Sequence, residues 1–271
     1  MSNKYLTLCI DFEEFSIPHD FGATISQEDK VAVSLEGLEA LCDVLKIFNM
    51  SATFFVTEGI AGIFPELLKS LIKNGHEIAL HSIIGGDGRT MALELQRQKT
   101  FVEAKIQQRI YGCRSHKFID VPSDILREAG FSYDNSLHPT FVPGRYCNIL
   151  KSRNLYLEKG VIRVPVSVTP FLRLPLSWIW FRNFGFSYAR SCSQMIYLSE
   201  EYINIYFHSW DFANISHWSL ARRFRPLVRN TGEKMLSMLS RYLAWCSQKR
   251  IAVVTLLEYI RYKHSNLIPF R

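Results

Sequence analysis

The spacing of apolar residues changes repeatedly along the chain, and each change marks the edge of an element. YLTLCID (5–11) is a short apolar run ending on an acid, the form of a buried strand. Residues 35–49, LEGLEALCDVLKIFN, put Leu38, Leu41, Leu45 and Phe48 three or four positions apart. That spacing predicts an amphipathic helix, with Ser34 as its cap. ATFFVT (52–57) predicts a second buried strand, and HEIALH (76–81) a third. Between them PELLKSLIKNG (65–75) opens with proline and stops at Asn-Gly, the punctuation of a helix. The alternation continues with a helix over 90–109, the strand YGCRS (111–115), the helix PSDILREAG (122–130) and the strand FSYDNS (131–136). Later strands are VIRVPVSV (161–168) and EYINIYFH (201–208). Asn230 and Glu233 have the spacing of a capping box before the helix 233–250. IAVVT (251–255) is the last strand, and Thr255 with Glu258 repeats the capping spacing.

Strand, loop and helix in regular succession predict a parallel sheet or barrel with helices outside. There is no internal repeat or linker, so residues 1–271 are expected to form one domain. One stretch breaks the rhythm. VTPFLRLPLSWIWFRNFGF (168–186) is crowded with Trp, Phe and Leu and marks an aromatic-rich insertion or lid at about 168–198. Two uses stay open for it: a lid packed on the core, or an apolar patch that rests on a membrane or receives a lipid-linked substrate.

Composition narrows the classes. The chain is 48% hydrophobic and 21% charged, an ordinary globular balance, with a net charge of +7. The basic residues are scattered and form no coherent stripe, which argues against nucleic acid and leaves an anionic lipid surface as the better use of the charge. The six cysteines never fall as Cys-x-x-Cys and read as free thiols of a reducing compartment. No signal peptide and no spanning helix are predicted, so the expected place is the cytoplasm, peripheral to the inner face of the membrane.

In parallel α/β architectures the chemistry sits at the carboxyl ends of the strands. There the sequence places Asp11 and Glu13, His81, Arg114, Asp134 and His208. In an extended strand residues two apart share a face, so Asp11 and Glu13 point together.

The ordered set TLCIDFEEFS, HEIALHS, YGCRSHKF, AGFSYDNSLHPT and YFHSWDF resembles the polysaccharide deacetylases, carbohydrate esterase family 4, over roughly residues 5 to 255. The resemblance implies a distorted (β/α) barrel of about seven strands. It implies a divalent metal, usually zinc, and hydrolysis of the acetamide of an N-acetylated sugar. It also implies roles: Asp11 as general base, Glu13 and His81 as metal ligands, Arg114 holding Asp11, and His208 as general acid. Trp210, Asp134, His138 and Arg145 are the residues implied for binding the carbohydrate, which the lipid-linked reading would place on a carrier.

One part is missing. The family's second motif has a further histidine four residues after the first, and here that position is Gly85. His76 lies on the opposite strand face and is expected to cap or pack instead. A catalytic zinc generally takes three protein ligands. Asp87 and His116 are the candidates for the third, with His138 behind them. Three readings therefore stay open: a metal-assisted deacetylase, a metal-independent amide hydrolase, and a non-catalytic glycan-binding or assembly module.

Overall fold

The computed structural model describes residues 4–264 apart from 21, 23, 86–87 and 216–221. Its elements run β1 (Tyr5–Phe12), α1 (Ile17–Asp20), α2 (Gln27–Phe48), β2 (Thr53–Val56), α3 (Glu58–Ile63), α4 (Pro65–Lys73) and β3 (Glu77–Ser82). They continue α5 (Gly88–Ile106), β4 (Gly112–Ser115), α6 (Ser123–Glu128), β5 (Tyr133–Asp134), β6 (Phe141–Val142), β7 (Tyr146–Cys147), β8 (Tyr156–Glu158) and β9 (Val161–Arg163). The last are α7 (Trp178–Ile196), β10 (Tyr202–His208), α8 (Glu233–Gln248), β11 (Ala252–Val253) and α9 (Leu256–His264).

A parallel run β10-β1-β2-β3-β4-β5-β9 forms the body of a curled nine-stranded sheet, with antiparallel β8 at its edge and β11 against the start of β1. This is the expected α/β half-barrel of about seven parallel strands. The strand expected over 161–168 is regular only to Arg163. Beyond it the chain bends toward β10: the Ser167 amide donates to the Asn204 carbonyl at 2.8 Å, and the Asn204 side chain donates to the Pro165 carbonyl at 3.1 Å. Those bonds draw the two sides of the curl together.

Alternation along the strands sorts the interior into layers. Thr7, Cys9 and Asp11 share a face of β1, and Asn204, Tyr206 and His208 a face of β10. At the floor the buried Glu77 carboxylate accepts from Tyr133 Oη at 2.6 Å, Thr53 Oγ1 at 2.8 Å and the Leu257 amide at 3.0 Å. Burial still raises the Glu77 pKa above its ordinary value, against those bonds. The apolar faces of the strands, with Leu6, Leu8, Ile10, Phe54 and Ile205 fully buried, pack under the helices.

Local signals differ from the sequence in two places. The first long helix begins at Gln27, capped by Ser26, whose Oγ accepts from the Asp29 amide at 3.0 Å. Ser34 is therefore mid-helix and not a cap; its hydroxyl donates to the Glu13 carbonyl at 2.6 Å. Asn230 does not cap α8, whose cap is Gly232, and donates instead to the Arg182 carbonyl at 3.2 Å. The Thr255–Glu258 box is formed, with bonds of 2.8 and 3.2 Å. His76 accepts from the Ala52 amide at 3.2 Å and meets Phe54 edge-on, away from the strand ends that carry His81.

Helix α2 approaches the turn after β10 through Gly37. A Cβ at Gly37 would lie 2.1 Å from the Ser209 carbonyl oxygen, a backbone atom that cannot swing aside. Gly37→Ala is therefore expected to destabilise the fold by about 1–3 kcal/mol through overpacking. Thermal denaturation should show a midpoint lower by roughly 2–4 °C per kcal/mol. An unchanged midpoint would mean that α2 and this turn are not in close contact.

Candidate active site

The strand register sets the site. Asp11 of β1 lies opposite His208 of β10, and His81 of β3 opposite Arg114 of β4. Asp11 is buried, and one of its oxygens, Oδ1, accepts from Arg114 Nη1. The other, Oδ2, is 3.9 Å from His208 Nε2. Arg114 is fully enclosed; its second amino group donates to Asn135 Oδ1, and the guanidinium lies 4.2 Å from the Phe55 ring centre and 5.1 Å from that of Tyr206. Asn135 in turn donates to the Val164 carbonyl, so the arginine is held from both flanks.

Glu13 stands just past β1. Its Oε2 lies 3.0 Å from His81 Nε2 and 3.2 Å from His116 Nδ1, and its Oε1 is 3.8 Å from His208 Nε2. Burial would push the Glu13 carboxyl up, but hydrogen bonds from His116 and His81 hold it well below its ordinary value. Burial likewise opposes charge on His81, yet the Asp11 and Glu13 carboxylates raise its pKa. One donor atom from each of Glu13, His81 and His116 falls within 4.8 Å of the others. A carboxylate and two imidazoles are a donor set that suits zinc at a catalytic site, so the residues fit a divalent ion.

His116 reaches this cluster by an unusual backbone path. It opens the 3-10 turn His116–Phe118 after β4, and both Lys117 and Phe118 have φ of +58°, a conformation rare for bulky residues. Ser115 pins the turn: its amide donates to Ser136 Oγ at 2.9 Å and its hydroxyl to the Ile119 carbonyl at 2.5 Å. Of the two candidates for the missing ligand, His116 is thus the one beside Glu13, and Asp87 lies outside the described residues. A Cβ at Gly85 would meet nothing within 4 Å.

His208 is held on several sides. Trp210 stacks on its imidazole with centres 4.4 Å apart, and Trp178 meets it edge-on at 4.7 Å. Asp211 Oδ2 accepts from the His208 backbone amide at 2.8 Å and lies 3.5 Å from its Nδ1. Asp211 is itself fully buried and paired with the buried Arg182 of α7, which also donates to the Leu227 carbonyl at 2.6 Å. The aromatic segment at 168–198 is therefore a bridge between Val168 and Pro175 followed by α7, a helix broken at Gly185 and packed against the strand that carries His208.

These groups open into a cavity of about 300 Å³. Its walls include Phe118, Tyr146, Trp178 and Tyr206, with Lys117 and Arg145 at exposed positions. His138 is on the wall as expected: Nδ1 is 2.9 Å from Tyr146 Oη, Nε2 has no protein partner, and burial lowers its pKa to about 3. One expected substrate contact falls elsewhere, and another is partly closed off. Asp134 is buried away from the cavity, bonded to Ser136 and 3.2 Å from Arg163 Nη1, and burial raises its pKa despite Arg163. Trp210 does line the cavity, but His208 occupies a face of its indole, so that face is closed to a sugar. Sequence reading missed Asn135, Asp211 and Arg182. The acid three residues after His208 was a usable signal for Asp211; Arg182 carried none.

Residues 29–116 match the model of the polysaccharide deacetylase family. Among solved structures, a Mycobacterium smegmatis protein bearing the name polysaccharide deacetylase superposes with a TM-score of 0.65 at 18% identity, covering 100% of this chain and 94% of its own. A Pseudomonas aeruginosa protein bearing the same name gives 0.67 at 14% identity, covering 96% and 91%. A CE4 family pseudoenzyme from Bacillus anthracis gives 0.52 at 11% identity, covering 95% of this chain and 65% of its own. At such identities the likeness is one of fold. A curated relative, the phenylalanine–tRNA ligase beta subunit of Methanococcus maripaludis, is 35% identical over 98 residues, which is 33% of this chain and 18% of that subunit. The chain spans less than a fifth of that relative, which transfers no activity. The chain thus matches the polysaccharide deacetylase family over residues 29–116 and shares, over nearly its whole length, the fold of solved proteins that bear that name.

Proposed function

We propose that this protein hydrolyses an N-acyl group, acetyl first among them, from an amino sugar of a carbohydrate, and that it does so with a divalent ion held by Glu13, His81 and His116. The observation that carries this reading is the meeting of that donor set with the Asp11–Arg114 pair and His208 at one cavity. A pure binding module has no use for an acid and a base placed together at strand ends.

The chain's own groups supply a balanced hydrolysis. Arg114 occupies one oxygen of Asp11 and leaves Oδ2 free to accept a proton from the attacking water. The water oxygen bonds to the acyl carbon, the carbon–nitrogen bond breaks, and His208 delivers a proton to the departing amine. Carboxylate and amine are the products. Trp178 and Trp210 fix the plane of the His208 ring, and Asp211 fixes its backbone. When bound, a divalent ion would polarise the acyl carbonyl and make the water more acidic.

The loss of the usual second histidine at Gly85 favours one rival, a protein that keeps the pocket without turnover. Two measurements separate the readings. Purified protein loaded with zinc is expected to hold about one ion per chain, as in a three-ligand site. His116→Ala should weaken zinc affinity by more than the roughly 10–100-fold that losing an outer-shell partner costs. Unaltered affinity would remove His116 from the site.

Acetate release from N-acetylated oligosaccharides is the second. Asp11→Asn is expected to lower turnover by about 10²–10⁴-fold, the range of general acid–base catalysis. Full turnover in this variant would exclude Asp11 as the base. A zinc-loaded protein that releases no acyl group from any amino sugar would establish the non-catalytic reading.

A further inference from the structure

Two loops next in sequence to cavity-lining segments expose large apolar side chains that none of the described residues covers. Leu150 is 95% exposed and Ile149 43%; Phe171 is 99% exposed and Leu172 76%. The loops are fastened to each other. Arg173 Nη1 donates to the Lys151 carbonyl at 3.1 Å, Thr140 Oγ1 to the Arg173 carbonyl at 2.7 Å, and Arg153 Nη1 to the Val168 carbonyl at 3.2 Å. The apolar tips therefore form one platform and not two separate accidents of the surface.

The platform adjoins the cavity through both loops. Residues 148–151 follow the β6–β7 hairpin, whose Val142, Arg145 and Tyr146 line the cavity, and Phe141 on that hairpin is 55% exposed. Residues 170–173 lead to the start of α7, which contributes Trp178, Ile179 and Trp180 to the cavity wall. The loop is also held outward at a cost. Phe171 has φ of +60° and Arg173 +53°, a region where a bulky side chain is strained by roughly 1–3 kcal/mol. Relaxation of that strain would withdraw a ring that is 99% exposed.

Lys151 and Arg173 belong to the two loops themselves, and Lys117 and Arg145 stand at exposed positions on the adjoining cavity wall; Asp120 lies 3.7 Å from Lys151, while Arg153 is spent on Glu200 at 3.0 Å. The surplus is positive, in a chain of net charge +7. Apolar side chains at loop tips within a basic collar suit the interface of an anionic bilayer, where the tips enter the acyl boundary and the cations meet phosphate headgroups.

We infer that the platform of Ile149, Leu150, Phe171 and Leu172 docks on an anionic lipid bilayer and holds the cavity mouth at the membrane surface. This inference is independent of turnover, so it stands or falls apart from the deacylase reading.

The test is sedimentation of the full chain with vesicles of phosphatidylcholine alone and of phosphatidylcholine with phosphatidylglycerol. Binding is expected to the anionic vesicles and to weaken with added salt. Phe171→Gly removes the ring and relieves the backbone strain, so it should keep or raise the thermal midpoint while weakening vesicle binding. Combined with Leu150→Ser it should weaken binding by about tenfold or more. Absence of binding to anionic vesicles, or equal binding by the double variant, would overturn the inference. So would sedimentation of the free protein as a dimer that the double variant abolishes while vesicles bind neither form, since a second copy would then be the occupant.

Discussion

A guanidinium removed from water must be answered by the protein, and Arg114 is removed completely. The partners that answer it are Asp11 and Asn135, with the rings of Phe55 and Tyr206 closing the remaining space. Taking away one partner of such a buried pair leaves an uncompensated charge, a loss of about 3–5 kcal/mol. That constraint does more than stabilise. Strand register fixes which residues neighbour the pair, so Asp11 sits beside His208 and Arg114 beside His81. The arginine can use only one oxygen of Asp11, and the other is thereby turned toward His208. A second buried pair, Arg182–Asp211, repeats the logic: it couples the aromatic helix to the turn that holds His208.

The proposed metal site, in which His116 stands in for the absent histidine, turns on what is and is not fixed in such a site. A metal ion recognises donor atoms at a distance, not positions in a sequence. Glu13 follows the end of β1 and His81 lies near the end of β3, and both line the same cavity. The space beside them can be reached from the loop after β3, where Gly85 now offers nothing, or from the turn after β4. His116 takes the second route, and two left-handed residues, Lys117 and Phe118, are the conformational cost. Phe118 then lies 5.0 Å from Tyr206 and 5.7 Å from Arg114, so the turn that brings His116 to Glu13 also helps close the lid on the buried charge.

Strand-end chemistry was legible because it obeys a period of two. Asp11 and Glu13 share a face, His81 ends an apolar run, and His208 ends another, so a one-dimensional reading places them on one rim. What depended on three dimensions was not legible. The start of α2 was hidden because QEDKVAVS carries no apolar stripe, and the same gap made Ser34 look like a cap when its hydroxyl serves the Glu13 carbonyl. Asp134 sits on a strand like the others, yet Arg163 and Ser136 claim it, and no spacing announces a partner from another strand. Trp210 looked like a platform for sugar because an indole near a catalytic histidine often is one; stacking on His208 itself is equally good physics and took precedence.

The barrel thus divides its labour along its axis. Its floor is built from satisfied groups: Glu77 with three donors, Tyr202 with Thr7, and Asn204 with Pro165. Its rim is the opposite. His81 Nδ1 and His138 Nε2 are buried without partners, and Lys117, Phe118, Phe171 and Arg173 hold left-handed backbones that are not helix ends. A buried imidazole nitrogen left unpaired costs about 1–3 kcal/mol, and each strained residue a similar amount. A fold with 5–15 kcal/mol in hand can carry such a rim only if the floor and the packed helices oversupply stability. Such losses also occur away from the rim, at Trp245 Nε1 and at the left-handed Lys159, but two unpartnered imidazole nitrogens and two left-handed residues in the walls of a single cavity are a cost that the proposed site would place on the fold.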